Sequence, residues 1–90
     1  MSSPSSEATV DLPAGVDLHA RPAAQFVKAA MGFSSRVVVA VGEREVDAKS
    51  LLSVLSLGAK SGTSLRLAAE GDDASSAVAS LAELVAGLTE

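Results

Sequence analysis

From Ala74 to the C-terminus, Ala74, Ala77, Val78, Leu81, Leu84, Val85 and Leu88 recur at spacings of three and four, the period of one helix face. A helix with one apolar face must bury it. In a chain of 90 residues this leaves a thin layered domain with a single core. The other layer is legible as short strands. Ala8, Val10 and Leu12 alternate with Thr9 and Asp11, and Leu65, Leu67 and Ala69 share one face of Ser64 to Glu70. Arg36 to Val41 is short and valine-rich, as a buried strand is. Gly42-Glu43 suits a two-residue hairpin turn that leads into a return strand, Arg44 to Asp47.

Two further helices complete the pattern. From Ala20, Pro22 fits a first turn, where a missing N–H costs nothing, and Ala23, Ala24, Val27, Ala30 and Met31 mark the apolar face up to Gly32. Ser50 to Leu57 forms a short helix that stops at Gly58. Gly71-Asp72-Asp73 breaks the preceding strand and supplies a cap for the last helix. The order is βαββαβα. It predicts an α+β open-faced sandwich, with a four-stranded, mainly antiparallel sheet and three helices on one face. Residues 1–6 read as a disordered tail and residues 7–90 as one domain.

Phe26 and Phe33 are the only aromatics, so Val, Leu and Ala must build the core, and base stacking has little to work with. Eleven acidic and seven basic residues give a net charge of −4, against nonspecific nucleic-acid binding and attraction to an anionic membrane. With no cysteine and one histidine, neither a disulfide nor a zinc site is expected, and no cofactor is implied. The N-terminus lacks the pattern of a signal peptide, and no apolar run reaches the ~20 residues of a membrane span, so a cytoplasmic protein is expected.

The chemistry concentrates in Gly15-Val16-Asp17-Leu18-His19-Ala20-Arg21-Pro22. It sets the only imidazole just before a helix start, where unpaired N–H groups and the dipole favour an anion. Arg21 adds a guanidinium that can grip two phosphate oxygens. On spacing alone, a lone histidine in such a loop is more often a solvated or capping residue. Two segments together say more. His19-Ala20-Arg21-Pro22-Ala23-Ala24-Gln25-Phe26-Val27-Lys28 and Lys49-Ser50-Leu51-Leu52-Ser53-Val54-Leu55-Ser56-Leu57-Gly58 resemble the signature regions of the histidine-containing phosphocarrier (HPr) family of the bacterial phosphoenolpyruvate-dependent sugar phosphotransferase system.

That resemblance implies a phosphoryl carrier with a phosphohistidine intermediate, not an enzyme with its own small substrate. Its phosphorylated histidine falls on His19 (pros position), and its phosphate-binding groups fall on Ala20 and Arg21. Phosphoenolpyruvate is then the ultimate donor, Enzyme I phosphorylates His19, and Enzyme IIA domains accept the group, with the carrier acting as a monomer. Lys28, Lys49, Leu51, Leu52 and Leu55 become partner-docking residues, although Lys28 serves equally as a solvated cation and part of the leucine set must be core.

Ser50 is a regulatory candidate, since the matching serine of some relatives is a kinase substrate; its bland role is to cap the short helix. A regulatory binding module, of the nitrogen-related branch or acting through Ser50, is the alternative. One departure stands out. Asp17 occupies the place of a family glycine, where a carboxylate would favour imidazolium and oppose incoming phosphate, unless it turns to solvent.

Overall fold

The computed structural model describes residues 4–89, arranged as β1 Ser5–Asp11, α1 Ala20–Met31, β2 Arg36–Val41, β3 Arg44–Asp47, α2 Leu51–Ser56, β4 Ser64–Glu70 and α3 Ala74–Ala86. The four strands form one sheet in the order β1-β4-β2-β3, and each neighbouring pair is antiparallel. α3 lies across β1 and β4, and α1 packs against both α2 and α3. The result is the expected open-faced sandwich. Among the described residues no helix is long and apolar enough to cross a membrane.

Period-two patterning holds where it was clearest. Leu65, Leu67 and Ala69 of β4 are buried, while Ser64 and Glu70 at its ends are exposed. The hairpin turn has Gly42 at φ +59° and no positive φ at Glu43, which suits a turn with glycine first.

The N-terminal boundary differs from the expected tail of residues 1–6. β1 already includes Ser5 and Ser6, which pair with Glu70 and Ala69, and Gly71 N–H donates to Pro4 O at 2.8 Å. The edge of β4 offers main-chain partners to any sequence, so polar serines join the sheet. Residues 1–3 lie outside the described part.

The buried face of α1 is also turned from the expected one. Pro22, Ala23, Phe26, Val27 and Ala30 are buried, whereas Ala24 is exposed and Met31 is 64% exposed. Magnitudes explain the rotation. Burying a phenylalanine is worth ~1.5–3 kcal/mol against ~0.8 kcal/mol for one methyl(ene), so Phe26 outweighs Ala24. In α3 the expected face is observed, with Ala74, Ala77, Val78, Leu81 and Val85 buried and Leu84 half-buried.

Asp73 stands at the N-cap of α3 but does not cap it through its side chain. Its carboxylate accepts instead from Ser34 N–H and Ser35 N–H, each at 2.9 Å, and from Ser35 Oγ–H. Ser35 Oγ in turn accepts from Asp73 N–H at 3.2 Å. This clasp ties the entry of β2 to the start of α3. The Ser35 hydroxyl, helped by the Ser34 amide, lowers the Asp73 carboxyl from its ordinary 3.8 to about 2.

A depressed carboxyl favours the folded state only while it is ionised. The clasp's contribution is therefore full above pH 3.8 and is lost as the pH falls through about 2. Urea unfolding followed from pH 5 downward is expected to show an acid-side loss of stability that is smaller in Asp73→Asn. Equal slopes for the two chains would remove Asp73 as the source.

Candidate functional site

The loop between β1 and α1 is fastened to the loop between α2 and β4. Leu12 N–H donates to Thr63 O at 2.9 Å, Gly62 N–H to Leu12 O at 3.0 Å, and Leu18 N–H to Ala59 O at 2.8 Å. Val16 and Leu18 are buried in the core at 3% and 1% exposure, and they anchor this loop from below. His19 follows directly, exposed, as the N-cap of α1 with φ −118° and ψ −160°. Its backbone carbonyl accepts from Ala23 N–H at 2.9 Å, but its imidazole makes no capping bond.

Donor accounting defines what the helix start offers. Pro22 has no N–H, and Ala23 N–H is already given to His19 O. Ala20 N–H and Arg21 N–H remain, with no acceptor among the described residues. They form the positive end of the helix dipole, where an anion is most favourable. His19, Ala20, Arg21, Pro22 and Thr89 line a shallow hollow of about 250 Å³. Nothing in the local sequence marks Thr89 as a neighbour of His19; the packing of α3 brings it there.

Contacts resolve the place of Asp17. It is half-buried, has no positive φ, and its Oδ1 accepts from Ser61 N–H at 2.8 Å. It does not turn freely to solvent as the sequence suggests, and it does not line the hollow beside His19. The backbone freedom in this loop belongs to Gly15, at φ +81°.

The residues of the second segment separate into different roles. Ser50 is the N-cap of α2, and its Oγ accepts from Ser53 N–H at 3.3 Å. Val54, not one of the leucines singled out, is the fully buried residue of α2, and Leu55 packs against the core. Leu52 is 83% and Leu51 41% exposed, so these two form the unburied apolar surface of the helix. Lys28 is exposed in the last turn of α1.

Lys49 is committed elsewhere, with Nζ donating to Phe33 O at 2.7 Å. That carbonyl follows the C-terminal end of α1, which at 1.5 Å per residue lies about 18 Å along the axis from His19. Lys49 is therefore not a cation beside the imidazole. The carbonyl-rich helix end draws the ammonium away.

An exposed imidazole that adjoins two free amides and a guanidinium, with no carboxylate among the described residues of the hollow, suits temporary attachment of an anionic group. By fold and site this is a small phosphocarrier domain. A family model described as the PTS HPr component phosphorylation site matches residues 5–87. The chain belongs to the HPr family of phosphocarriers of the phosphotransferase system.

It is 43% identical over 76 residues to the phosphocarrier protein HPr of Haemophilus influenzae, covering 84% of this chain and 89% of that one. It is 41% identical over 83 residues to a multiphosphoryl transfer protein of Xanthomonas campestris, covering 92% of this chain but only 10% of that much longer protein. The crystal structure of HPr from Bacillus anthracis superposes with a TM-score of 0.86 at 32% identity, over 90% of this chain and 96% of that one.

Proposed function

We propose that His19 accepts a phosphoryl group from Enzyme I, with phosphoenolpyruvate as the ultimate donor, and passes it to Enzyme IIA domains for sugar uptake. The observation that carries this reading is the exposed imidazole at the N-cap of α1, next to the unbonded amides of Ala20 and Arg21. The Nδ1 lone pair of the neutral ring forms the N–P bond as the donor's bond to phosphorus breaks, and the donor group leaves with that electron pair. Nε2 keeps its proton. The Ala20 and Arg21 amides and the Arg21 guanidinium stabilise the charge on the transferring oxygens. The second transfer reverses these steps toward the IIA nucleophile.

A carrier must be docked and released by successive partners, and exposed Leu51 and Leu52, with Lys28 as a cation, supply an apolar surface with a charged flank. Such docking needs only one copy of the chain, in the cytoplasm where Enzyme I acts. Ser50 Oγ is already engaged as a helix cap, which supports a structural role for it.

The test is incubation with phosphoenolpyruvate and Enzyme I, followed by intact mass. One added phosphoryl group is expected, stable in alkali and lost in acid as phosphoramidates are. Phosphorylation of His19→Ala to the same extent would overturn the assignment.

A further inference from the structure

Resting on the reading of His19 as acceptor, the geometry points to Asp17 as a positioning residue that places His19 through the amide of Ser61. Among the described residues the imidazole has no bond that orients it, so its location depends on the main chain that precedes it. Three contacts converge on that main chain. Asp17 Oδ1 accepts from Ser61 N–H at 2.8 Å across 44 residues of sequence, Asp17 O accepts from His19 N–H at 3.0 Å, and Leu18 N–H donates to Ala59 O at 2.8 Å.

The Asp17–Ser61 contact is the last side-chain hydrogen bond before His19, and it sits just after Gly15, an exposed residue at φ +81° with open space around it. Without the carboxylate, the buried Val16 and Leu18 and the Leu18–Ala59 main-chain bond would be left to hold the stretch of loop that sets the imidazole against the Ala20 and Arg21 amides. Productive transfer requires all of these to meet one phosphoryl group at once, and such alignment is sensitive to small displacements.

The same contact answers the electrostatic objection to a carboxylate near the site. Asp17 directs its carboxylate to Ser61 N–H, outside the hollow that His19, Ala20 and Arg21 line, and there it acts as a fastener of the loop.

The experiment compares Asp17→Asn and Asp17→Ala with the parent in Enzyme I-dependent phosphorylation. Asn keeps an oxygen acceptor, so its transfer should stay near that of the parent. Ala removes it, and kcat is expected to fall about tenfold with KM for the carrier unchanged. Parent-like kcat in Asp17→Ala would overturn the proposal, and so would an equal fall in both variants, which would make charge rather than the bond the cause. Should the parent itself take up no phosphoryl group, the acceptor reading fails, yet the fastener is still decided by NMR of the unmodified chains. Asp17→Ala must then speed hydrogen exchange at Ser61 N–H and lower the order parameter at His19 N–H. An unchanged His19 amide would refute the positioning role by itself.

Discussion

Gly71→Ala is expected to destabilise the fold by about 2–5 kcal/mol, from strain at a glycine-only conformation plus overpacking. Gly71 has φ +142°, and a Cβ there would lie 2.6 Å from Ser35 Oγ, 2.9 Å from Ser35 Cα and 3.0 Å from Ser35 Cβ. Two of these atoms are not the far end of a flexible side chain, so a rotamer change cannot relieve them. Ser35 has little freedom to retreat. It is 2% exposed, and its N–H and hydroxyl are both committed to the Asp73 carboxylate. The added methyl would thus force apart β2 and the turn that leads into α3, taking the clasp with it. Urea unfolding at neutral pH measures the effect. A loss under about 1 kcal/mol would mean that this corner relaxes far more easily than such contacts normally do.

Arg21→Ala is expected to slow phosphoryl acceptance about 10–100-fold, the worth of a charged hydrogen bond of ~1.5–3 kcal/mol, while leaving the fold intact. The two halves of this expectation have separate grounds. Arg21 is exposed and its side chain bonds to no described residue, so the folded state does not depend on it. On the proposed reading, by contrast, the transferring phosphoryl group is held by the Ala20 and Arg21 amides and this guanidinium. Arg21→Lys should fall between Ala and the parent, because an ammonium keeps the charge but loses the planar two-point grip. Stopped mixing with phosphorylated Enzyme I, with thermal unfolding run in parallel, resolves rate from stability. Equal rates in the parent and both variants would show that the guanidinium plays no part.

Patterns with strong contrast are legible in the amino-acid sequence. In β4, Leu65, Leu67 and Ala69 alternate with polar or smaller neighbours, so only one pleat orientation buries the leucines. α1 shows where legibility ends. Its many alanines fit either a buried or an exposed position, and the face is settled by where Phe26 can be fully enclosed between α1 and the rest of the core. The short helix α2 has the same ambiguity among its leucines, and packing places Val54 in the interior. The tail boundary differs because Ser5 and Ser6 are held by main-chain bonds, which side-chain patterning does not report.

Local sequence was enough for the order of elements, the open-faced sandwich, and the placing of His19, Ala20 and Arg21 at a helix start. These follow from periodicity, turn chemistry and adjacency, all properties of neighbouring residues. The partners of the charged groups came from tertiary packing alone. Asp73 is claimed by Ser34 and Ser35, Asp17 by Ser61, and Lys49 by the carbonyl of Phe33. Each of these side chains had a plausible local role, as a cap, a loop carboxylate turned to solvent, or a cation near the site. A charged group takes a donor or acceptor that lies within reach, and which ones do is set by the distant segments that the core brings together.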